Sequence, residues 1–107
     1  MTPRILILDE FSSYLLFIKE LLTNDGFEIA CAEKEKDMDE CLAYFNPEII
    51  LIDVHMNNGQ GFLFLEKLSK KYKNSKPIIV LSSGKNVEDI GKAFNLGAYD
   101  YLIKPLN

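Results

Sequence analysis

The stretch IILIDVHMNNGQG, residues 49–61, decides how the rest of the chain is read. Ile49, Ile50, Leu51 and Ile52 form an unbroken apolar run. It is too short for a buried helix and lacks the alternation of a half-exposed strand. Such a run suits a strand covered on both faces, as in parallel sheets flanked by helices. It ends on a carboxylate, Asp53, and then on His55, Asn57, Asn58 and Gly59, which read as a loop.

Outward from this stretch the same unit recurs. Residues 5–8 are a short apolar run, and residues 12–24 place Leu15, Ile18 and Leu22, with Leu16 and Leu21 beside them, at helical spacing before Gly26. Residues 27–32 read as a second strand. Residues 37–45 read as a second helix with Met38, Leu42 and Phe45 on one face. After Pro47, residues 48–52 form the third strand, and Phe62, Leu65, Leu68 and Tyr72 make the stripe of a third helix. Pro77 opens a fourth strand at 78–81. Asn86 is placed to cap a helix over 87–96 that turns Val87, Ile90 and Phe94 inward and stops at Gly97. A fifth strand, 99–103, ends at Lys104-Pro105.

Strand–helix units repeated in this way predict an α/β fold built on a parallel sheet. The chain has 107 residues, too few for an eight-stranded barrel. An open, doubly wound, five-stranded sheet of flavodoxin-like order 2-1-3-4-5 is the remaining fit, with the order reversing between strands 1 and 3. One domain over residues 1–107 is expected.

The formal net charge of −4 argues against nucleic acid as a direct partner, because phosphate backbones demand a basic face. Lys67, Lys70, Lys71, Lys73 and Lys76 are the only basic cluster, and they read as the solvated end of the third helix. Cys31 and Cys41 form neither a disulfide framework nor a metal-spaced set, and are expected to be small buried residues in a reducing compartment. No apolar run approaches membrane-spanning length, so no membrane partner and a cytoplasmic location are expected.

In a parallel sheet all the carboxyl ends lie on one edge, and ligands bind there at the reversal. Asp9 and Glu10 follow strand 1, Asp53 follows strand 3, Ser82 follows strand 4 and Lys104 follows strand 5. Asp9, Glu10 and Asp53 are therefore expected to converge. Two carboxylates at about 4 Å repel by roughly 4 kcal/mol at an effective dielectric near 20, so such a cluster calls for a cation. Oxygen donors without a histidine or cysteine array favour Mg²⁺. A divalent ion, a lysine and a serine hydroxyl around one carboxylate suit a phosphoryl group, with Asp53 as the nucleophile. Taken singly, Asp9 or Glu10 reads as a helix cap, Ser82 as a turn residue, Lys104 as a surface lysine and Asp53 as an ordinary loop aspartate. Their fall on one sheet edge is the signal.

The whole chain resembles the receiver domain of two-component response regulators. The resemblance rests on ILILDE, IILIDVHM with GQG, PIIVLSS and GAYDYLIKP, in that order. It implies that Asp53 accepts a phosphoryl group from the phosphohistidine of a sensor histidine kinase or a phosphotransfer protein. It implies Mg²⁺ or Mn²⁺ held by Asp9, Glu10, Asp53 and the backbone carbonyl of His55. Ser82 and Lys104 would bind phosphoryl oxygens, Tyr101 would change rotamer with Ser82, and Pro105 would follow a cis peptide bond. The implied output is a changed surface at the fourth helix and fifth strand, read by an effector domain or a downstream protein. Slow self-dephosphorylation is expected rather than enzymatic turnover.

The sequence departs from the family's pattern in places. Asn57 stands where the family usually has proline, so the turn after Asp53 is in question. His55 lies two residues after Asp53, a position that tunes hydrolysis in this family. Gly84, two residues after Ser82, offers no side chain to position a water, and Gly91 weakens the fourth helix. The family's fifth helix is not reached by Asn107. An excerpt of a longer chain is therefore expected, or a homodimer covering the bared side of strands 4 and 5. The alternative function is a pseudo-receiver, an interaction module that is never phosphorylated. An aspartate-nucleophile phosphatase would want an acid at position 55, and a nucleotide binder would want glycines in DEFSS.

Overall fold

The structure is a computed structural model describing residues 2–10, 13–72, 75–84 and 86–104. Five parallel strands form one sheet in the order β2-β1-β3-β4-β5. They are β1 (Arg4–Leu8), β2 (Glu28–Ala32), β3 (Ile49–Asp53), β4 (Ile78–Ser82) and β5 (Asp100–Ile103). Four helices connect them: α1 (Ser13–Asn24), α2 (Glu35–Glu40), α3 (Met56–Tyr72) and α4 (Val87–Asn95). The expected doubly wound order is the observed one. The described residues hold no fifth helix and no helix long and apolar enough to cross a membrane.

Successive strand residues point to opposite faces, and each face has its own apolar layer. Leu6, Leu8, Ile50, Ile52 and Val80 pack with Met38, Phe62, Leu65, Leu68 and Ala93, which places α2, α3 and α4 on one side. Ile5, Ile7, Leu51 and Leu81 pack with Leu15 and Ile18 of α1 on the other. The unbroken apolar runs of the central strands follow from this double cover. The pairing Leu8↔Ile52, Asp53↔Leu81 and Ser82↔Ile103 brings the carboxyl ends of four strands into one row.

The structure departs from the sequence reading at several helices. The second helix starts at Glu35 and passes into a π-helical turn, Cys41–Phe45, closed by Asn46 in the left-handed region (φ 51°). Within α1, Leu16, Phe17 and Leu21 are exposed, so the buried stripe is narrower than the run of leucines suggests. In α4 the cap is as expected, with Asn86 Oδ1 accepting the Glu88 N–H at 2.8 Å. Its inward face is not: Val87 is 80% exposed and Phe94 46%, while Ala93 is fully buried. Alanine is too small to mark an apolar stripe, yet it lets the helix lie close to the sheet. Both cysteines are half-buried rather than buried, and burial pushes both thiols up from their usual range.

Candidate functional site

Lys104 follows the outermost strand, β5, and its side chain reaches the acids that follow β1 and β3. Its Nζ donates to Asp53 Oδ2 at 2.9 Å and to Asp9 Oδ2 at 3.1 Å. All three side chains are shielded, being 5% (Asp9), 15% (Lys104) and 17% (Asp53) exposed. The lysine is delivered by strand pairing that continues past β5, since its own N–H donates to the Ser82 carbonyl at 2.8 Å. Ser82 is fully buried and its hydroxyl accepts the Gly84 N–H at 3.1 Å. Tyr101 is half-buried, with its hydroxyl donating to the Gly84 carbonyl at 3.3 Å.

The two acids differ. Burial pushes Asp9 above the usual carboxylate range, and its hydrogen bond and charge contact with Lys104 reverse only part of that. Burial acts on Asp53 too, but Lys104 and the His55 N–H, which donates to Asp53 Oδ1 at 2.9 Å, outweigh it and hold the carboxyl below its ordinary value. Lys104 loses by burial and gains more from its two carboxylates, ending above the usual lysine value.

Glu10 does not join this cluster, which corrects the expected convergence of three carboxylates. Its side chain is exposed and accepts the backbone N–H of Asn57 through Oε1. Among the described residues no three His, Cys, Asp or Glu side chains come together as a metal cage. The reason lies in the loop after β3. Asn57, Asn58 and Gly59 all take positive φ (49°, 61° and 92°), which interrupts α3 near its start. Asparagine tolerates that region better than other non-glycine residues. The turn presents the Asn57 N–H to Glu10, and the Asn57 side chain donates to the Glu33 carbonyl at 3.0 Å. Asn57 thus joins the loops after β1, β2 and β3, a role that sequence reasoning missed. The Asn-Asn-Gly run was its only signal.

Val54 and Met56 are buried on either side of exposed His55, which anchors the loop to the core. Gly61 permits the close approach of α3, because a Cβ there would lie 2.6 Å from Val54 Cα. The His55 carbonyl accepts the Gly59 N–H at 3.4 Å, and its imidazole Nε2 lies 3.2 Å from Asp89 Oδ2 on α4. Pro105 and its peptide bond lie outside the described residues.

The sheet of order 2-1-3-4-5 thus carries acid, hydroxyl and ammonium groups on its carboxyl edge. The family model for the response regulator receiver domain matches residues 5–107, and the chain belongs to that family. It is 33% identical over 107 residues to the chemotaxis protein CheY of Treponema pallidum, covering 97% of this chain and 74% of that one. It is 28% identical over 104 residues to the regulatory protein AtoC of Escherichia coli, covering 97% of this chain and 22% of that one. The chain spans half or less of the length of several regulatory proteins that it matches, 22% to 50%. Its fold matches a crystal structure of a Burkholderia pseudomallei response regulator with a phosphorylated aspartic acid, a calcium ion and citrate. That match has a TM-score of 0.86 at 22% identity and covers 98% of this chain and 61% of the other.

Proposed function

We propose that this chain is a phosphoacceptor switch in which Asp53 takes a phosphoryl group from a histidine-kinase or phosphotransfer-protein phosphohistidine. The observation that carries the reading is Lys104 bridging Asp53 and Asp9 at the switch point of the sheet. A carboxylate oxygen of Asp53 attacks phosphorus in line, the O–P bond forms, and the P–N bond breaks to leave the donor's imidazole. Lys104 neutralises charge on a phosphoryl oxygen. The Ser82 hydroxyl moves to a second oxygen, and Tyr101, tied to Gly84 two residues on, follows it. The outcome is a biased α4–β5 surface for an effector domain or downstream protein, not turnover of a substrate.

The donors present fit a hard divalent cation. All are oxygens, and Asp9 is an acid kept almost wholly from water. Lacking a three-carboxylate cage, the site suits an ion that retains waters, as Mg²⁺ and Mn²⁺ do. Asp9, Glu10, Asp53 and the His55 carbonyl would hold it, with Glu10 turning from the Asn57 N–H. Bound there, the ion supplies charge neutralisation to the transferring phosphoryl group.

The test is incubation with acetyl phosphate and Mg²⁺ followed by mass spectrometry. A phosphate adduct on the wild type that is absent from Asp53→Asn is expected. No adduct from acetyl phosphate or phosphoramidate would overturn the reading in favour of a pseudo-receiver.

A further inference from the structure

One residue touches two acids, one through its backbone and one through its side chain. The His55 backbone N–H donates to Asp53 Oδ1 at 2.9 Å, and its imidazole Nε2 lies 3.2 Å from Asp89 Oδ2 in the first turn of α4. The imidazole also meets the Phe62 ring edge-on, with centroids 5.9 Å apart. The Phe62 ring is covered in turn by Lys92, whose Nζ sits 4.3 Å from the centroid. Asp89 and Lys92 are three residues apart and so share a helix face. That face grips His55 and Phe62 of the segment following the phosphoacceptor. Asp89 is the more sheltered partner of the pair, with its side chain 25% exposed against 46% for His55.

We infer that Asp89 is a positioning residue that holds the His55 imidazole on α4 while Asp53 is unmodified, and that a phosphoryl group on Asp53 competes with Asp89 for that imidazole. This rests on the phosphoacceptor reading of Asp53. A phosphoryl group brings strong acceptor oxygens next to a loop whose backbone already bonds Asp53. An imidazole N–H can donate to a phosphoryl oxygen as readily as to a carboxylate oxygen. Leaving Asp89 loosens the first turn of α4. By linkage, whatever loosens that contact beforehand favours occupation of Asp53.

The experiment is beryllofluoride binding with Mg²⁺ to the wild type, Asp89→Asn, His55→Ala and the double variant. Glu88→Gln serves as a control that removes a charge from the same turn. Hydrogen exchange of the α4 amides is read on the same proteins without beryllofluoride. Asp89→Asn is expected to tighten binding about fivefold, the low end of coupling between sites. It is expected to have no effect in the His55→Ala background, and Glu88→Gln is expected to leave binding unchanged. Exchange in the first turn of α4 is expected to quicken equally in both single variants and the double.

An equal change from Asp89→Asn in both backgrounds, or none in either, overturns the inference, the first because Asp89 then acts through bulk charge. Faster exchange without a change in affinity reduces the contact to a structural one and also overturns it. Failure of the wild type itself to bind beryllofluoride sinks the phosphoacceptor reading and the competition with it. Normal wild-type binding with unresponsive variants sinks the coupling alone.

Discussion

Lys104 and Asp53, 51 positions apart in sequence, meet at 2.9 Å between Nζ and Oδ2. The contact is largely shielded and shared with Asp9, so the lysine does the work of a counter-ion for two acids. Removing one partner of a shielded pair costs more than the pair itself contributes, because charge is left behind without compensation. Lys104→Met is therefore expected to lower metal-free stability by about 2–3 kcal/mol. Urea titration with and without Mg²⁺ checks it. The loss should shrink when the cation is present, and a loss unaffected by Mg²⁺ counts against the two acids as the source.

Asp9 and Asp53 should respond oppositely to pH. The folded pKa of Asp9 is raised by burial, so its favourable contribution is full below the unfolded value and is lost as pH rises through the folded one. Despite its burial, Asp53 has a lowered folded pKa through Lys104 and the His55 N–H. Its contribution is present above the unfolded value and lost as pH falls through the folded one. Asp9→Asn is accordingly expected to stabilise the metal-free protein at neutral pH while weakening Mg²⁺ binding. Thermal melts at neutral and mildly acidic pH decide it, and a destabilised Asp9→Asn at neutral pH refutes the sign.

Two glycines make a contrasting pair. Gly61→Ala would place a methyl group 2.6 Å from Val54 Cα and is expected to cost about 1–3 kcal/mol as overpacking. At Gly91, inside α4, a Cβ meets nothing within 4 Å, and Gly91→Ala is expected to add about 1 kcal/mol. Calorimetric melting of both variants provides the comparison. Hydrogen exchange on Gly91→Ala should show the gain in α4 rather than spread through the sheet.

Asn57→Pro would install the residue that resembling domains usually carry at this position. Here φ is 49°, whereas proline requires about −65°, and the N–H accepted by Glu10 would vanish. The variant is expected to lose about 2 kcal/mol or more and to alter Mg²⁺ affinity by freeing Glu10. Denaturation and metal titration read the two effects separately. A stabilised Asn57→Pro would show that the left-handed turn is not what holds Glu10.

The legible parts of the chain were those set by topology. Central strands are buried on both faces and announce themselves as apolar runs, so β3 and its terminal Asp53 were readable within a residue. Asp9, Ser82 and Lys104 followed, because parallel strands end on one edge whatever their side chains do. Glu10 was not readable in the same way. Its exposed carboxylate is oriented by an N–H from a turn 47 residues away, and that turn exists because Asn57, Asn58 and Gly59 accept positive φ. The inward face of α4 was misread because its deepest contact is Ala93, which carries little hydropathy. Asp89 went unnoticed because its partner, His55, lies on another connection, and only folding brings them together.

The hydrogen bond from the Lys104 N–H to the Ser82 carbonyl gives the carboxyl edge a rigid crossbar. The hydroxyl and the ammonium ride on adjoining strand ends fastened by one rung, so their backbones travel as a unit. A shift at the end of β4 is thereby handed on to the backbone that carries the ammonium.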